Sequence, residues 1–313
     1  VYKRQHVDHS STARSRTAPV VEESSIMISR VYLTRGGNLE VRTGPVPEAS
    51  LQLEQNGFAL LPGVLSEEEV SELRTELTQL FETTRPDVRL SGSTEEDYAD
   101  FRYEALNRSP AAQRAVANPS ILEVIEPLLG EDCHVVSNTV WRNAPQREKA
   151  PFDVGNPWHV DAGPHIPRPE GIDWDERIPY PVFMVGCHML LRDCPIESGP
   201  TGFVPRSHKS GRLPPRPDAA GAVFYEGEGP VAPIGRAGDV VFFVSDVWHR
   251  RMPTGPADTG RFFLQVQYGR RDIAQRLRTT DVVNHLSPDA IARAVTERER
   301  TVIGLHPAGF YDG

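Results

Sequence analysis

The sequence contains few cysteines and no apolar run long enough to cross a membrane. Only 3 of its 313 residues are cysteines, and no CxxC pair occurs, which argues against a disulfide framework or a zinc site built on paired cysteines. The longest apolar run, Val240–Val244, is far shorter than the roughly 20 residues that a membrane-spanning helix needs. We therefore expect reduced thiols in a cytoplasmic protein that does not interact with membranes.

Basic residues are too few for a protein that binds nucleic acid. The formal net charge is −9 at pH 7 and the sequence pI is about 5.6, whereas phosphate backbones and anionic lipids select for clustered Lys and Arg. Hydrophobic residues at 38% and charged residues at 25% are typical of a globular protein. The expected partner is therefore a small molecule, not a nucleic acid or a membrane.

The first residues of the chain lack the features of an ordered or targeting segment. Residues 1–26 show neither the apolar core of a signal peptide nor any apolar periodicity. We interpret them as disordered or not native to the fold, with Met27 as a candidate start. Residues 27–313 are expected to form a single domain, with a hairpin and helices to about residue 132, a β-rich core over about 133–271 and a C-terminal helical extension.

Turn and capping signals divide the first part of the chain into a hairpin and several helices. A hairpin is expected over residues 28–43, with its turn at residues 36–38. Ser66 and Glu69 form a capping-box pattern in front of an apolar stripe at helical spacing. Further helices are expected to begin at Ser109-Pro110, Pro119 and Ser287-Pro288.

From Cys133 onward the sequence changes character and becomes rich in short β-type runs. These runs are separated by Gly and Pro turns, as in CHVVSNTVWRN, VFMVGCHMLLRDC, DVVFFVSDVWH and RFFLQVQYG. Many short strands after a helical beginning predict a β-sandwich or barrel that is supported by N-terminal helices.

One short stretch, PWHVDAGPH, places a histidine and a carboxylate two residues apart. His159 and Asp161 would point to the same face of an extended strand and could bind one ion together. An HxD triplet is common by chance, so a third ligand is needed. The best candidate is His249, at the end of the apolar strand in GDVVFFVSDVWH. Two imidazoles and one carboxylate form the facial triad of non-haem Fe(II) oxygenases, which leaves coordination positions open.

The charge of such a site predicts a further residue. Fe(II) with one Asp carries a formal charge of about +1, which suits a chelating 2-oxoglutarate dianion. Its far carboxylate would lie in a dry pocket, where an unpaired charge is costly and a bidentate guanidinium is the natural partner. Arg261 follows His249 at the start of the next β-rich run, and an adjacent antiparallel strand would bring it close to the metal.

Several of these motifs together resemble the phytanoyl-CoA dioxygenase family of Fe(II)- and 2-oxoglutarate-dependent oxygenases. The resemblance runs from about Leu53 to about Arg271 and includes GFALLPGVLSEEEV, WHVDAGPH, SGPTGFVPRSHKSG and GDVVFF. It implies a mainly β fold with flanking helices, namely a double-stranded β-helix, the jelly-roll or cupin-like barrel. It also implies Fe(II) as the metal, with 2-oxoglutarate and O2 as co-substrates.

The resemblance assigns roles to individual residues. It implies that the iron ligands are His159, Asp161 and His249 and that Arg261 holds the far carboxylate of 2-oxoglutarate. It further places His188 and Asn138 against the co-substrate. The implied reaction is hydroxylation of an unactivated C–H bond in a small organic metabolite, with release of succinate and CO2. Because halogenating relatives replace the carboxylate with a small residue, the intact aspartate favours hydroxylation or another oxidation.

Two positions depart from the family pattern. Arg206 in PRSH stands where relatives usually have glycine, so the resemblance does not determine the conformation of that turn. Arg251 stands where relatives often carry a small hydroxyl residue, so the second contact to the co-substrate carboxylate can differ. The acidic balance of the chain gives no support for a CoA site, and a CoA thioester is therefore not the expected substrate.

Some residues and functions keep alternative interpretations. His165 is expected to be an exposed loop residue, and His208 a structural residue that bonds the turn backbone. The loop after the HxD pair either contacts substrate or forms a solvated lid; it carries Arg168, Trp174, Arg177 and Tyr180. The alternative functions are a non-catalytic barrel that binds a small molecule and a zinc-dependent barrel with the same ligands. Neither the triad nor Arg261 is damaged, and no denser histidine cluster is present.

Overall fold

The computed structural model describes five segments of the chain: residues 27–33, 39–88, 91–145, 157–273 and 286–306. The predictions for residues 1–26 and for the hairpin turn at residues 36–38 lie outside these segments. Within the described segments, no helix is both long enough and apolar enough to cross a bilayer. All 3 cysteines lie in the described part, and they are free and buried.

The helices lie before and after the strands of the central sheet. They are α1 Glu48–Asn56, α2 Glu67–Thr83, α3 Ala105–Arg108, α4 Pro110–Val116, α5 Pro119–Leu129, α6 Pro288–Arg293 and α7 Glu297–Val302. The strands are β1 Met27–Leu33, β2 Leu39–Pro45, β3 Phe58–Leu61, β4 Phe101–Tyr103, β5 His134–Asn143, β6 Met184–Leu190, β7 Thr201–Phe203, β8 Val240–Val244, β9 His249–Arg251 and β10 Arg261–Gly269.

The local sequence signals are confirmed where the structure describes them. The strands β1 and β2 pair in antiparallel fashion as the two arms of the predicted hairpin. Ser66 Oγ accepts a hydrogen bond from Glu69 N, and Glu69 Oε2 accepts one from Ser66 N, which completes the capping box of α2. The apolar stripe of α2 is buried, as predicted: Val70, Leu73, Leu77, Leu80 and Phe81.

Apart from the separate β1–β2 pair, the strands form two facing antiparallel sheets. The larger sheet has six strands in the order β3-β8-β6-β10-β5-β4, and the smaller sheet pairs β7 with β9. Isolated bridges extend the smaller sheet from Phe203 to Val231 on one side and from His249 to His159 on the other. Phe203 of the smaller sheet packs against Val241, Phe243 and Phe263 of the larger one. The predicted jelly-roll barrel with flanking helices is therefore confirmed.

Alternation along the strands of the larger sheet divides its side chains between two environments. On β10, Phe262, Leu264, Val266 and Tyr268 belong to the core that packs against the helices. Phe263 belongs to the core between the sheets, so Arg261 and Gln267, which share its parity, also point into the barrel. By the same parity Gln265 also faces this side, so a single strand brings one basic and two amide side chains to the interior of the barrel.

His208 is a structural residue, but its partner differs from the prediction. Its Nε2 atom bonds the carbonyl oxygen of Glu54 in α1 at 3.0 Å, not the turn backbone, and the residue is 1% exposed. A carbonyl oxygen can only accept, so Nε2 carries the proton. Burial lowers the pKa of His208 from the ordinary value of 6.5 to about 4.

This buried histidine predicts acid sensitivity. Because its folded pKa is depressed, the unfolded chain binds the proton at a higher pH, and stability is complete above pH 6.5 and is lost as the pH falls toward 4. Between pH 7 and pH 5 the expected loss from this residue is about 2 kcal/mol. His208→Gln keeps an N–H donor for Glu54 and does not titrate.

Urea denaturation of both proteins at pH 7 and pH 5 measures the effect. The free energy of unfolding of the wild type is expected to fall by about 2 kcal/mol more than that of His208→Gln. The other buried histidines are common to both proteins, so they cancel. Equal losses in the two proteins would show that His208 is not the acid-sensitive group.

Candidate metal centre

Three potential metal ligands from distant parts of the chain meet at one end of the barrel. The ligand atoms of His159, Asp161 and His249 all lie within 4.8 Å of one another. Asp161 Oδ1 is 3.6 Å from His159 Nε2 and 3.3 Å from His249 Nε2. Metal–imidazole bonds of about 2.0–2.1 Å put neighbouring ligand atoms roughly 3 Å apart. The described group therefore fits a single small ion.

Backbone pairing between two segments holds the three side chains together. His159 and His249 exchange two N–H···O bonds of 3.0 Å each, and Asp161 N donates to Ser245 O at 3.0 Å. The first segment is thus an added strand at the edge of β9. Since residues two apart point to one face of an extended segment, this pairing directs all three side chains to the same side.

The protonation of the two imidazoles suits a metal. His159 Nδ1 bonds Pro157 O at 3.0 Å, and His249 Nδ1 bonds Val247 O at 2.8 Å. Carbonyl oxygens accept only, so both Nδ1 atoms carry protons, and in the neutral imidazoles both Nε2 atoms keep a lone pair. A metal-bound histidine usually donates such a hydrogen bond from the ring nitrogen that does not bind the metal. Both lone pairs face Asp161, which is where an ion would lie.

Gln267 on β10 orients the carboxylate of the group. Its Nε2 atom donates to Asp161 Oδ2, which leaves Oδ1 toward the two imidazoles. The side chains of His249 and Asp161 are 5% and 20% exposed, whereas that of His159 is 46% exposed. The group is therefore closed on the barrel side and open on the side of His159, as a site that admits small molecules requires.

Mutual attraction offsets the cost of burying these groups. Burial by itself raises the pKa of Asp161, but the charge and hydrogen bond of His249 outweigh it and hold that pKa below its ordinary value. In the same way the neighbouring carboxylate raises the pKa of His249 despite its burial. The carboxylate is therefore kept ionised and available as an anionic ligand.

A small pocket behind the triad contains the predicted guanidinium. Arg261, His188, Thr201 and Cys194 contribute to its lining. Arg261 is 8% exposed, and its Nε atom donates to Asn143 Oδ1 at 3.0 Å. Within the described segments no carboxylate lies in ion-pair contact with it. Burial, followed by the charge of Arg251, lowers the pKa of Arg261 to about 9, so an anion that entered the pocket would be strongly favoured.

His188 lies within electrostatic reach of both the triad and the guanidinium. Burial lowers its pKa to about 3, and the charges of Arg261, Asp161 and His249 all act on it. Its Nδ1 atom is 3.4 Å from Thr201 Oγ1. The imidazole is therefore neutral over the physiological range and can form hydrogen bonds in the pocket without adding charge.

The prediction for Asn138 is wrong. Its Oδ1 atom accepts a hydrogen bond from Leu106 N in α3 at 3.0 Å, and it lies opposite Val266, which packs against the helices. Because alternate residues of a strand point to opposite faces, Asn138 lies on the helix side of the sheet, away from the pocket. Asn143, of opposite parity on β5, is the residue that contacts Arg261.

The two departures from the family pattern have structural explanations. Arg206 has a φ of +65°, so the turn keeps a left-handed conformation that glycine adopts without strain. Its guanidinium pairs with Glu176 Oε1 at 3.0 Å and with Glu226 Oε2 at 3.1 Å. Arg251 donates to the Ser198 carbonyl at 3.3 Å, where a smaller hydroxyl residue could not reach.

The loop after the HxD pair is partly ordered by its own contacts. Trp174 Nε1 donates to Ile178 O at 2.6 Å, Arg177 pairs with Asp175, and the guanidinium of Arg168 lies 5.2 Å from the centre of the Trp174 ring. Tyr180 is buried. None of these contacts reaches the triad directly.

The sequence reasoning missed several residues of the site, among them Asn143, Gln267 and Asp246. Gln267 shares the parity of Arg261 on one strand, which is a signal that could have identified it. Asp246 carries no such signal, yet it binds His165, whose side chain is 14% exposed and hydrogen-bonded to it. The expectation that His165 is an exposed loop residue is therefore wrong.

Comparison with solved structures supports the fold. Among solved structures, the epimerase SnoN in complex with Fe3+, alpha ketoglutarate and nogalamycin RO is 21% identical, with a TM-score of 0.54 and coverage of 77% of this chain and 91% of that one. The non-heme alpha ketoglutarate dependent carbocyclase SnoK from nogalamycin biosynthesis is 23% identical, with a TM-score of 0.53 and coverage of 77% and 87%. At these identities the likeness supports the fold.

Sequence comparison identifies the family. No curated protein matches the chain significantly. The profile of the family described as phytanoyl-CoA dioxygenase (PhyH) matches residues 53–253, which include all three members of the triad and well over half of the 313 residues. The match ends before Arg261, so the assignment of that residue depends on the structure. The chain therefore belongs to the phytanoyl-CoA dioxygenase family.

Proposed function

We propose that the protein is an Fe(II)- and 2-oxoglutarate-dependent dioxygenase that hydroxylates an unactivated C–H bond of a small organic metabolite. The observation that carries the proposal is the His159–Asp161–His249 group, in which both Nε2 lone pairs face one carboxylate oxygen. The cofactors of the family, Fe(II), 2-oxoglutarate and O2, suit this donor set, because two imidazoles and one carboxylate leave three positions of an octahedral ion free.

The metal and the co-substrate would supply the oxidising chemistry that no side chain of the site provides. Each triad member has one task. His159 and His249 offer neutral nitrogen donors whose orientation is fixed by the carbonyls of Pro157 and Val247. Asp161 offers one anionic oxygen, while its other oxygen is held by Gln267. A divalent ion with this one carboxylate keeps a charge of about +1, which attracts a dianionic co-substrate.

The pocket of Arg261 is proposed to hold the far carboxylate of 2-oxoglutarate. Asn143 fixes the Nε edge of the guanidinium, so the terminal nitrogens are free to form a two-point contact with a carboxylate. His188 and Thr201 line the same pocket and offer neutral hydrogen-bonding groups. The pocket is partly enclosed and partly lined by apolar residues, which would limit the access of water to the co-substrate.

The overall reaction balances without a further reductant. The substrate R–H, 2-oxoglutarate and O2 give R–OH, succinate and CO2, with one oxygen atom of O2 in succinate and the other in the alcohol. The intact Asp161 argues against halogenation and for hydroxylation or another oxidation. The similar structures are named as an epimerase and a carbocyclase, so the same fold supports other reactions as well.

Incubation of the purified protein with Fe(II), ascorbate, 2-oxoglutarate and a metabolite extract tests the proposal. Mass spectrometry is expected to show succinate and a product that is heavier by one oxygen atom. Zn(II) in place of Fe(II) is the matched control, because zinc suits the same ligands but has no redox chemistry. A product that is lighter than the substrate by two hydrogen atoms would indicate that the enzyme catalyses ring closure and not hydroxylation. Turnover that zinc supports, without succinate, would contradict the oxygenase itself.

A further inference from the structure

A buried carboxylate outside the triad connects the two segments that carry the triad. Asp246 lies in the turn between β8 and β9 and is 2% exposed. It accepts hydrogen bonds from His165 N at 3.0 Å, from His165 Nδ1, from Tyr180 Oη at 2.9 Å and from Ser245 Oγ at 3.3 Å. Burial would raise the pKa of Asp246, but the bonds from His165 outweigh it and lower that pKa.

These bonds hold the Asp161 segment at a second point. The backbone bond from Asp161 N to Ser245 O fixes the segment at one place. His165, four residues further along, is fixed to the next residue of the same turn. The backbone between these points therefore cannot shift relative to the turn that leads directly to His249.

The same carboxylate also connects the two ends of the loop that follows the HxD pair. His165 at the beginning of this loop and Tyr180 at its end bond the two oxygen atoms of Asp246. The His165 ring is stacked on Phe183, with ring centres 5.0 Å apart and an angle of 9° between the planes. A Cβ atom at Gly163 would lie 2.6 Å from Asp246 Oδ1, so the close approach of the backbone requires glycine at that position.

Stability alone is a poor explanation for this arrangement. A buried carboxylate with polar partners often contributes no more to stability than apolar residues of the same volume would, because its desolvation offsets its attractions. What the arrangement provides is fixed geometry between two segments that each carry metal ligands. Residues that hold metal ligands in place typically change metal affinity about 10–100-fold when they are altered.

We propose that Asp246 is a positioning residue of the metal site, which holds the Asp161 segment in register with the His249 turn and thereby sets metal affinity. The inference rests on the proposed function, since it takes the triad to bind a divalent ion. It assigns to Asp246 no contact with metal or substrate. Its effect is transmitted through His165 and the backbone.

The test compares Asp246→Asn with Asp239→Asn, using Co(II) as a spectroscopic probe. Asp239 is a matched control, because it is a largely buried carboxylate of the same barrel that accepts bonds from Gly63 N at 2.8 Å and Arg236 N at 2.7 Å and touches neither ligand segment. Asp246→Asn is expected to weaken Co(II) binding about 10–100-fold and to change the visible spectrum of bound Co(II). Asp239→Asn is expected to bind Co(II) like the wild type, whatever its thermal stability.

The outcomes separate this inference from the proposed function. If the wild type binds no Co(II), both fail. If the wild type binds Co(II) and Asp246→Asn binds it within about twofold and with the same spectrum, only the positioning role is overturned. Should Asp246→Asn not fold, His165→Phe carries the test, because it deletes the Nδ1 bond to the carboxylate, keeps the charge of Asp246 and keeps a ring that can stack on Phe183. Weaker Co(II) binding with a changed spectrum supports the role, and unchanged binding overturns it.

Discussion

The Asp161→Asn variant is expected to lose Fe(II) affinity by a factor of roughly 10²–10³ and to lose 2-oxoglutarate turnover with it. Asp161 is the only anionic member of the triad, and the neutral amide is a poor ligand for a divalent ion. Removing one charged partner from a buried pair costs roughly 3–5 kcal/mol, and about 1.4 kcal/mol corresponds to a tenfold change in affinity. Anaerobic Fe(II) titration and succinate formation measure the two losses.

Asp239→Asn serves as the control for this change as well. It makes the same chemical substitution at a carboxylate whose partners are the backbone N–H groups of Gly63 and Arg236. Together with Asp246→Asn it forms a graded series of three aspartates, with a large, an intermediate and no effect on metal binding. An Asp161→Asn protein that kept wild-type Fe(II) affinity would show that the metal binds elsewhere or not at all.

The second large effect is expected at Arg261. Arg261→Met keeps much of the side-chain volume but removes the buried guanidinium that lines the pocket beside His188. The expected result is a KM for 2-oxoglutarate about 100-fold higher or more, because a buried carboxylate would lose its charged partner at a cost of several kcal/mol. Fe(II) affinity should change little, since Arg261 does not touch the triad. Steady-state kinetics with varied 2-oxoglutarate measure the KM.

Two further variants sharpen this test. Arg261→Lys keeps the charge and loses the planar two-point contact, so its KM should lie between those of the wild type and Arg261→Met. Arg102→Met is the control for removing a buried arginine. Arg102 is 7% exposed and lies over the ring of Phe81 in α2, on the helix side of the sheet, where it bonds the carbonyls of Thr84 and Phe101. A KM for 2-oxoglutarate that stays within about threefold in Arg261→Met would contradict the proposed anchor.

The triad could be found from the sequence because its signals are local. Strand alternation places His159 and Asp161 on one face, and an apolar run places His249 at the end of a strand. Arg261 follows from the charge that a co-substrate brings and from the position of the next β-rich run. The capping box of α2 is equally local. Each of these predictions needs only a few neighbouring residues.

The rest of the site depends on pairing between distant parts of the chain. His165 and Asp246 are 81 positions apart, and Asp161 and Gln267 are 106 positions apart, so no local pattern connects either pair. Asn138 was misplaced for another reason. Both faces of β5 are buried, and a polar residue in such a strand cannot be assigned to one face until the helices that cover the other face are known.

The central claim is that the three ligands and the Arg261 pocket together bind Fe(II) and 2-oxoglutarate. One measurement tests it most directly. Fe(II) and then 2-oxoglutarate are added to the protein without oxygen, and the visible absorption spectrum is recorded. We predict a charge-transfer band that needs both additions, that Zn(II) cannot produce and that is lost in Asp161→Asn. If saturating Fe(II) and 2-oxoglutarate produce no band with the wild-type protein, the proposed function is contradicted.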